Sequence, residues 1–277
     1  LLFGELTGYP CCTTNMHQGW PKFVRNTWLA TRDGGLAALI YGPSEVTAKV
    51  RGGKQVSIVE ETNYPFEEEI ELQISTDGSV EFPLHLRIPG WAEDASVSVN
   101  GESISAGDAG SIQVLERTWN DGDTVTLTFD MNVNIERGYE QAAFVERGPL
   151  VYVNALEENW SRYPDQKLPK LKRGNAYEVT SGDEWNYGLV VNPNNPDESF
   201  EFSRSERFPD NPWTRENAPV AMQATAKQIP YWGLYNGSAG PIPYSPVDEV
   251  STSSRSLKLI PYGSSVLRIS AFPVLRD

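Results

Sequence analysis

From Leu36 onward apolar residues return at every second position, and this period of two dominates the first half of the chain. Residues 36–41, 45–50 and 55–59 read as short strands. Ile70, Leu72 and Ile74 alternate with charged and polar neighbours, as do Phe82, Leu84, Leu86 and Ile88, which is the pattern of antiparallel strands with one wet face. Val97 and Val99, then Asn100-Gly101, then Ile104 predict a hairpin, because an Asn-Gly pair accepts the positive φ of a type I′ turn. The stretch Thr118-Trp119-Asn120-Asp121-Gly122-Asp123 predicts another turn, leading into a strand through Val125, Leu127 and Phe129. Together these segments predict a β-sandwich over residues 31–137.

The period is different at the beginning. From Asn15, the residues Met16, Trp20, Phe23, Val24, Thr27 and Trp28 recur at spacings of three and four, and Asn15 followed by Gln18 resembles a capping box. Pro21 is awkward inside such a helix, which either starts later or kinks there. Asp33-Gly34-Gly35 is the expected stop, since glycine ends helices at little conformational cost.

The second half is less regular. Residues 142–153 form an apolar run broken by Arg147-Gly148-Pro149, and residues 257–260 and 265–271 look like closing strands. Between them, from about 157 to 254, lies a Pro- and Asn-rich stretch carrying Trp160, Trp185, Trp213 and Trp232. The expectation is a second β-sandwich with long loops over 138–277, so the fold class is mainly β with one N-terminal helix.

The chain has 277 residues, enough for two domains. Its hydrophobic share of 39% is low, but 8 Trp, 12 Tyr and 10 Phe raise the burial available per residue, so a folded core is expected. A net charge of −14 without a basic stripe excludes nucleic acid and anionic membrane surfaces as partners. No run of 18 apolar residues suits a membrane-spanning helix. The start LLFGELTGYP has neither a basic leader region nor an initiator Met, which leads to the expectation of a piece of a longer protein.

Both cysteines are adjacent, Cys11 and Cys12, so a framework of stabilising disulfides is excluded. Two thiols at the entry to a helix sit near unpaired backbone N–H groups and the positive dipole end, which favours thiolate, the form that attacks carbon and binds zinc. Two buried, inert thiols in a turn are the plainer alternative. Spacing alone does not make a zinc site, because three or four ligands are needed and the pair supplies half.

The run Gly8-Tyr9-Pro10-Cys11-Cys12-Thr13-Thr14-Asn15-Met16-His17-Gln18-Gly19-Trp20-Pro21-Lys22-Phe23, then Trp28, then Asp33-Gly34-Gly35-Leu36-Ala37-Ala38, resembles the last catalytic segment of glycoside hydrolase family 127, the β-L-arabinofuranosidase family. Trp119-Asn120-Asp121-Gly122-Asp123, Arg147-Gly148-Pro149-Leu150-Val151-Tyr152, Leu259-Ile260-Pro261-Tyr262-Gly263 and Leu267-Arg268-Ile269 resemble its downstream landmarks in the same order. The resemblance implies an (α/α)₆ barrel followed by two β-sandwich domains, with residues 1–30 as the last segment of that barrel. It implies Cys11 as nucleophile and zinc ligand and Cys12 as a second zinc ligand, within a set of one Glu and three Cys. The other ligands and the acid/base Glu would lie upstream of this chain. Members often carry prolines after the pair, where this chain has Thr13-Thr14.

The implied function is a retaining glycosidase acting on an oligosaccharide or glycan, β-L-arabinofuranosides or related plant-wall sugars, with the upstream barrel as its partner in the same protein. This piece alone would be inactive. The alternative from another class is a non-catalytic carbohydrate-binding or structural sandwich module. Other residues read more simply. Glu5 is expected in a solvated loop and His17 as a cap or packing residue. His85, out of phase with Leu84 and Leu86, is expected to face solvent, and Glu67-Glu68-Glu69 with Glu71 to form a wet strand edge. Asp121 and Asp123 should bond their own turn, and Trp185, Trp213 and Trp232 should pack in the core or at a domain interface.

Overall fold

The computed structural model describes residues 2–3, 10–162, 177–192 and 194–275, with the side chains of residues 2–3, 10–14 and 16 excepted. Strand β1 (Leu2–Phe3) and helix α1 (Pro10–Arg25) open the chain. The helix starts five residues before the Asn15 capping pattern predicts, with Pro10 as its first residue, where a missing N–H costs nothing. Pro21 lies inside it. Lys22 and Arg25 occupy its last turn, the favourable end for cations.

The expected stop at Gly34 is a correction, because the helix ends at Arg25. The carbonyls of its last turn are taken up there: Asn26 N–H donates to Phe23 O (2.9 Å), Thr27 N–H and Oγ1–H donate to Val24 O (3.3 and 2.9 Å), and Asn26 Nδ2 donates to Lys22 O. Trp28 then begins strand β2 (Trp28–Ala30) instead of a further turn of helix. Asp33-Gly34-Gly35 turns β2 into β3 (Leu36–Ala38), with Gly34 at φ 82°.

Eight more strands complete the first sandwich: β4 (Ser44–Lys49), β5 (Gln55–Thr62), β6 (Glu69–Thr76), β7 (Val80–Arg87), β8 (Ala95–Val99), β9 (Glu102–Ile104), β10 (Ile112–Trp119) and β11 (Thr124–Phe129). They form a four-stranded sheet, order β10-β7-β3-β2, and a six-stranded sheet, order β4-β5-β6-β11-β8-β9. All pairs are antiparallel except β3 with β7. The alternation seen in the sequence is the burial pattern: Ile70, Leu72 and Ile74 of β6, Phe82, Leu84 and Leu86 of β7, and Val125, Leu127 and Phe129 of β11 share one continuous core. Each large side chain so buried contributes about 1.5–3 kcal/mol. Asn100 (φ 51°) and Gly101 (φ 80°) form the predicted hairpin turn.

The second half carries β12 (Val133–Arg137), β13 (Ala143–Arg147), β14 (Leu150–Asn154), β15 (Asn159–Arg162), β16 (Tyr177–Thr180), β17 (Tyr187–Leu189), β18 (Phe200–Arg204), β19 (Val220–Gln228), β20 (Leu234–Tyr235), β21 (Ser238–Ala239) and β22 (Ser254–Pro261). Seven of these make one sheet, order β12-β13-β14-β22-β19-β17 with β18 also on β19. Strands β1, β16 and β15 make a second sheet, and β20 with β21 a lone hairpin. Several of these strands lie in the stretch expected to be loops. Residues 265–271, expected as a closing strand, form none; Ile269 instead offers its carbonyl to the Asn154 N–H (3.0 Å).

The chain divides into two compact units, Asn15–Met131 and Leu1–Thr14 with Asn132–Asp277. Strand β12, assigned to the first sandwich by the expected boundary at 137, pairs along its whole length with β13 and so belongs to the sheet of the second unit. The reason is plain in the pairing register, which joins Val133 to Arg147 and Arg137 to Ala143. No described helix is long and apolar enough to cross a membrane.

Candidate functional site

Helix α1 carries the residues singled out for chemistry. Cys11 and Cys12 are its second and third residues, so the pair sits within the first turn and not ahead of it. The four N–H groups of a helix's first turn have no intrahelical acceptor, and this end carries the positive dipole. The side chains of Cys11 and Cys12 lie outside the described residues, as does Glu5. Further along, His17 is exposed. Trp20 (69% exposed) stacks on Phe23 (46%) at 5.6 Å with 26° between the rings, and Val24 (49%) is also exposed. This apolar patch is thus laid open toward the C-terminal end of α1, the end away from the cysteine pair.

The other residues weighed from the sequence fall into structural roles. His85 is a correction: it lies on the outer face of β7, but its side chain is only 18% exposed, and Nε2 meets Asp33 Oδ2 at 3.0 Å. Asp33 also accepts from Thr31 Oγ1, and this bond chiefly, against the opposing effect of burial and with help from His85, holds its carboxyl below the usual range. Arg51 adds bonds to the Asp33 carbonyl and to Glu116 and Glu81, closing a polar strap over the turn. The acidic run is a second correction, since β6 is an interior strand between β5 and β11 and Glu71 faces Glu61 and Thr126 across it. Asp123 accepts from Asn120 N–H of its own turn, as expected, and from Asn100 Nδ2 (both 2.8 Å), whereas Asp121 Oδ1 accepts from Thr76 N–H (3.1 Å), 45 residues away, and so pins the turn to the end of β6 instead of bonding its own backbone. Trp185 and Trp232 pack edge to face in the core of the second unit, at 4.9 Å. Trp213 is 46% exposed, its ring covering Gly263.

One carboxyl escaped the sequence reading. Glu60 follows Val56 and Ile58 on the inward row of β5 and is 2% exposed. Gly42 N–H donates to its Oε1 (2.9 Å) and Ser44 Oγ–H to its Oε2 (2.8 Å), while Trp28 Nε1–H donates to Ser44 (3.0 Å). Burial raises its pKa to about 7, and the Gly42 and Ser44 bonds oppose that rise. A charged residue in phase with two buried apolar ones was the signal that could have found it. Every oxygen is engaged, so its chemistry is that of a core fastening.

Among the described residues no group of three or more His, Cys, Asp and Glu is placed to hold a metal. Residues 35–131 match the family model described as Beta-L-arabinofuranosidase, GH127 middle domain. This segment carries the family 127 middle domain. Solved structures agree on the fold. A GH127 β-L-arabinofuranosidase from Geobacillus stearothermophilus T6 superposes with a TM-score of 0.64 at 23% identity, over 96% of this chain and 37% of that one. A structure described as a glycoside hydrolase gives 0.66 at 21%, over 98% and 41%, and a further GH127 β-arabinofuranosidase gives 0.61 at 20%, over 95% and 38%. The chain therefore spans about two fifths of the length of these structures. No curated protein matches at a significant level. The family 127 segment accounts for the first sandwich from Gly35 through Met131, and the helix bearing the cysteine pair precedes it, with β2 between them.

Proposed function

We propose that the chain is the C-terminal part of a retaining glycoside hydrolase that cleaves β-L-arabinofuranosides or related plant-wall sugars, with Cys11 as nucleophile. The observation that carries this reading is a conjunction. The family 127 middle domain at 35–131 is preceded by a helix whose first turn holds Cys11-Cys12, in the order the family resemblance implies. The open face of Trp20, Phe23 and Val24 supports an upstream (α/α)₆ barrel as the partner that covers α1.

In this reading the Cys11 thiolate attacks the anomeric carbon as the bond to the leaving oxygen breaks, and an upstream carboxylic acid gives that oxygen its proton. Water, deprotonated by the same carboxylate, then displaces the sulfur, so two inversions return the original configuration and the thiolate. Two adjacent thiolates suit zinc, a borderline-soft ion, and Cys11 and Cys12 would be two of its four donors, with the others upstream. Zinc, when bound, lowers the thiol pKa, and the helix end acts in the same direction.

The test uses the full-length enzyme and an aryl β-L-arabinofuranoside. Cys11→Ser is expected to lower turnover by about a thousandfold or more with the melting temperature little changed, and Cys12→Ala to reduce bound zinc as measured by elemental analysis. Ordinary turnover in the Cys11→Ser enzyme would exclude the nucleophile assignment. The 277-residue chain alone is expected to show no turnover.

A further inference from the structure

The chain from Ile229 to Val247 builds a rigid mount on the second unit. Ile229, Trp232, Val247 and Leu275 form a small core, with Trp185 packed against it. Trp232 Nε1–H donates to Gly240 O (3.0 Å), and Gly240 N–H donates to Gly233 O (3.0 Å), so the two stems are clamped. A Cβ on Gly240 would lie 2.6 Å from the Gly233 carbonyl oxygen, which keeps that contact glycine-only. Beyond the clamp, β20 and β21 turn through Asn236 (φ 51°) and Gly237 (φ 76°), the primed geometry that suits a tight hairpin.

What this mount displays is aromatic and wet. Tyr231 is 56% exposed, Leu234 67%, Tyr235 66% and Tyr244 64%. A cleft of about 360 Å³ lies among Tyr231, Trp232, Leu234, Tyr235 and Pro243, and a second of about 250 Å³ among Tyr139, Trp232, Ile242 and Arg268. Trp232 and Gly240 line both. Polar groups line the second cleft as well, among them Ser270 and Arg268, and burial, then the charges of Glu249 and Asp248, push the Tyr231 phenol upward.

We propose that this hairpin and its two clefts are a glycan-binding subsite that takes neighbouring rings of a neutral oligosaccharide. Sugar rings present apolar C–H faces, which suit exposed tyrosine rings, and hydroxyls, which pair with the phenol oxygens of Tyr231 and Tyr235 and the hydroxyl of Ser270 at the cleft walls. Tyrosine has few rotatable bonds, so a clamped display of it loses little entropy on binding. Charge decides among occupants. Among the described residues Arg268 is the one cation lining the two clefts, and it is engaged with Tyr262, over whose ring it lies at 4.3 Å and to whose carbonyl its Nε–H donates. Glu140, Asp248 and Glu249, in a chain of net charge −14, thus disfavour polyuronates and also a second copy of the same surface. The inference rests on the proposed function only for the choice of a glycan as ligand class.

The full-length protein, as wild type and as Tyr231→Ala/Tyr235→Ala, is titrated calorimetrically with linear arabino-oligosaccharides and, in parallel, polygalacturonate. The wild type is expected to bind the neutral oligomer and not the polyuronate, and the double variant to bind it roughly tenfold more weakly. Hydrolysis of the small aryl arabinofuranoside should be unchanged. Undiminished oligomer affinity in the variant, or no oligomer binding in the wild type, overturns the inference. So does a loss of self-association in sedimentation with glycan affinity intact, which would make the hairpin a contact between copies. Absent aryl-glycoside hydrolysis in the wild type would instead count against the proposed activity and leave the hairpin comparison readable.

Discussion

The two β-rich units reach a buried interior by different routes. In the first, inward rows from β5, β6, β7, β8 and β11 meet in one continuous cluster, and Ile58, Ile70, Leu72, Ile74, Phe82, Leu84 and Leu127 are fully buried. In the second, Val145, Tyr152, Leu189, Met222 and Leu259 are just as fully buried, and apolar side chains also gather as Ile229, Trp232, Val247 and Leu275, or Val153, Ala221 and Ile260. Backbone hydrogen bonds outside the sheets help hold it together. The segment from Phe272 to Leu275 exchanges bonds with Ala143, Leu189 and Val247, three positions far apart in sequence. Periodicity organises one unit, and long-range stitching organises the other.

Tryptophan truncation should separate them most. Trp119 is fully buried, lies 5.9 Å from Phe82 and donates its Nε1–H to the Phe82 carbonyl (3.0 Å). Trp119→Ala leaves a closed cavity and an unpaired carbonyl and should cost about 4 kcal/mol. Trp232 is 4% exposed but borders two open clefts, where water can enter the space left. Trp232→Ala should therefore cost about 2 kcal/mol. Urea denaturation of both variants checks the order, and a Trp232 loss equal to or above that of Trp119 would break the contrast.

The same contrast explains what the sequence made legible. The first sandwich was readable because β6, β7 and β11 alternate strictly and the turns at Asn100-Gly101 and Asn120-Asp123 carry their own chemistry. Its misreadings were local. Trp28 continued a helical spacing, but the side chains of Asn26 and Thr27 already end the helix, and Trp28 is drawn into the core. Strand β10 went unseen because Ile112 and Val114 face outward, while Arg117 shares the inner row and covers Trp119 at 5.1 Å. Arg117 is exposed, and a charge on such an edge strand deters pairing with other sheets. In the second unit, β18 and β19 pair across intervening chain that no local pattern marks, although Asn236-Gly237 between Leu234-Tyr235 and Ser238-Ala239 was a hairpin signal. As for the site, Cys11-Cys12 stood out by residue type, whereas no period pointed to the clefts around Trp232, which are made by residues from 139 to 271.

A second difference concerns charge. Among the described residues the buried carboxyls, Glu60 and Asp123, are both in the first unit, and the second buries only Asn154, Ser245, Ser264 and Ser265. Glu60 has a native pKa of about 7, raised by burial from 4.5. Between those values the native carboxyl keeps a proton that the unfolded chain has released. Stability therefore falls as pH rises through this window, by about 3 kcal/mol. Asp123 works the other way: burial is outweighed by its bonds to Asn120 and Asn100, its pKa is lowered, and its contribution disappears as pH falls below the ordinary range. The first unit should be most stable near pH 4 to 5. In Glu60→Gln the amide can still accept from Gly42, and the slope above pH 4.5 should vanish in denaturation measured across pH. A slope that persists would place the titrating group elsewhere.

The smallest difference expected between the units comes from adding one methyl group at matched glycines. Gly35 precedes β3 where it runs beside β7, and a Cβ there would stand 2.0 Å from the Pro83 carbonyl oxygen and 2.9 Å from its carbonyl carbon. Both are backbone atoms of an interior strand, so relief requires moving β3 away from β7. In the second unit a Cβ on Gly188 would stand 2.5 Å from Leu275 Cδ2 and 3.1 Å from Ile229 Cδ1, the far ends of side chains that can turn aside, and 3.1 Å from the Pro273 carbonyl oxygen. Gly35→Ala should thus cost about 2–3 kcal/mol and Gly188→Ala about 1 kcal/mol. The measurement is the difference in urea midpoint at pH 5, where Glu60 and Asp123 add most to the first unit and cannot mask the effect. If Gly188→Ala proved the worse, the stitched unit would be the more rigidly packed one, and the side chains of Leu275 and Ile229 would have to be regarded as fixed rather than yielding.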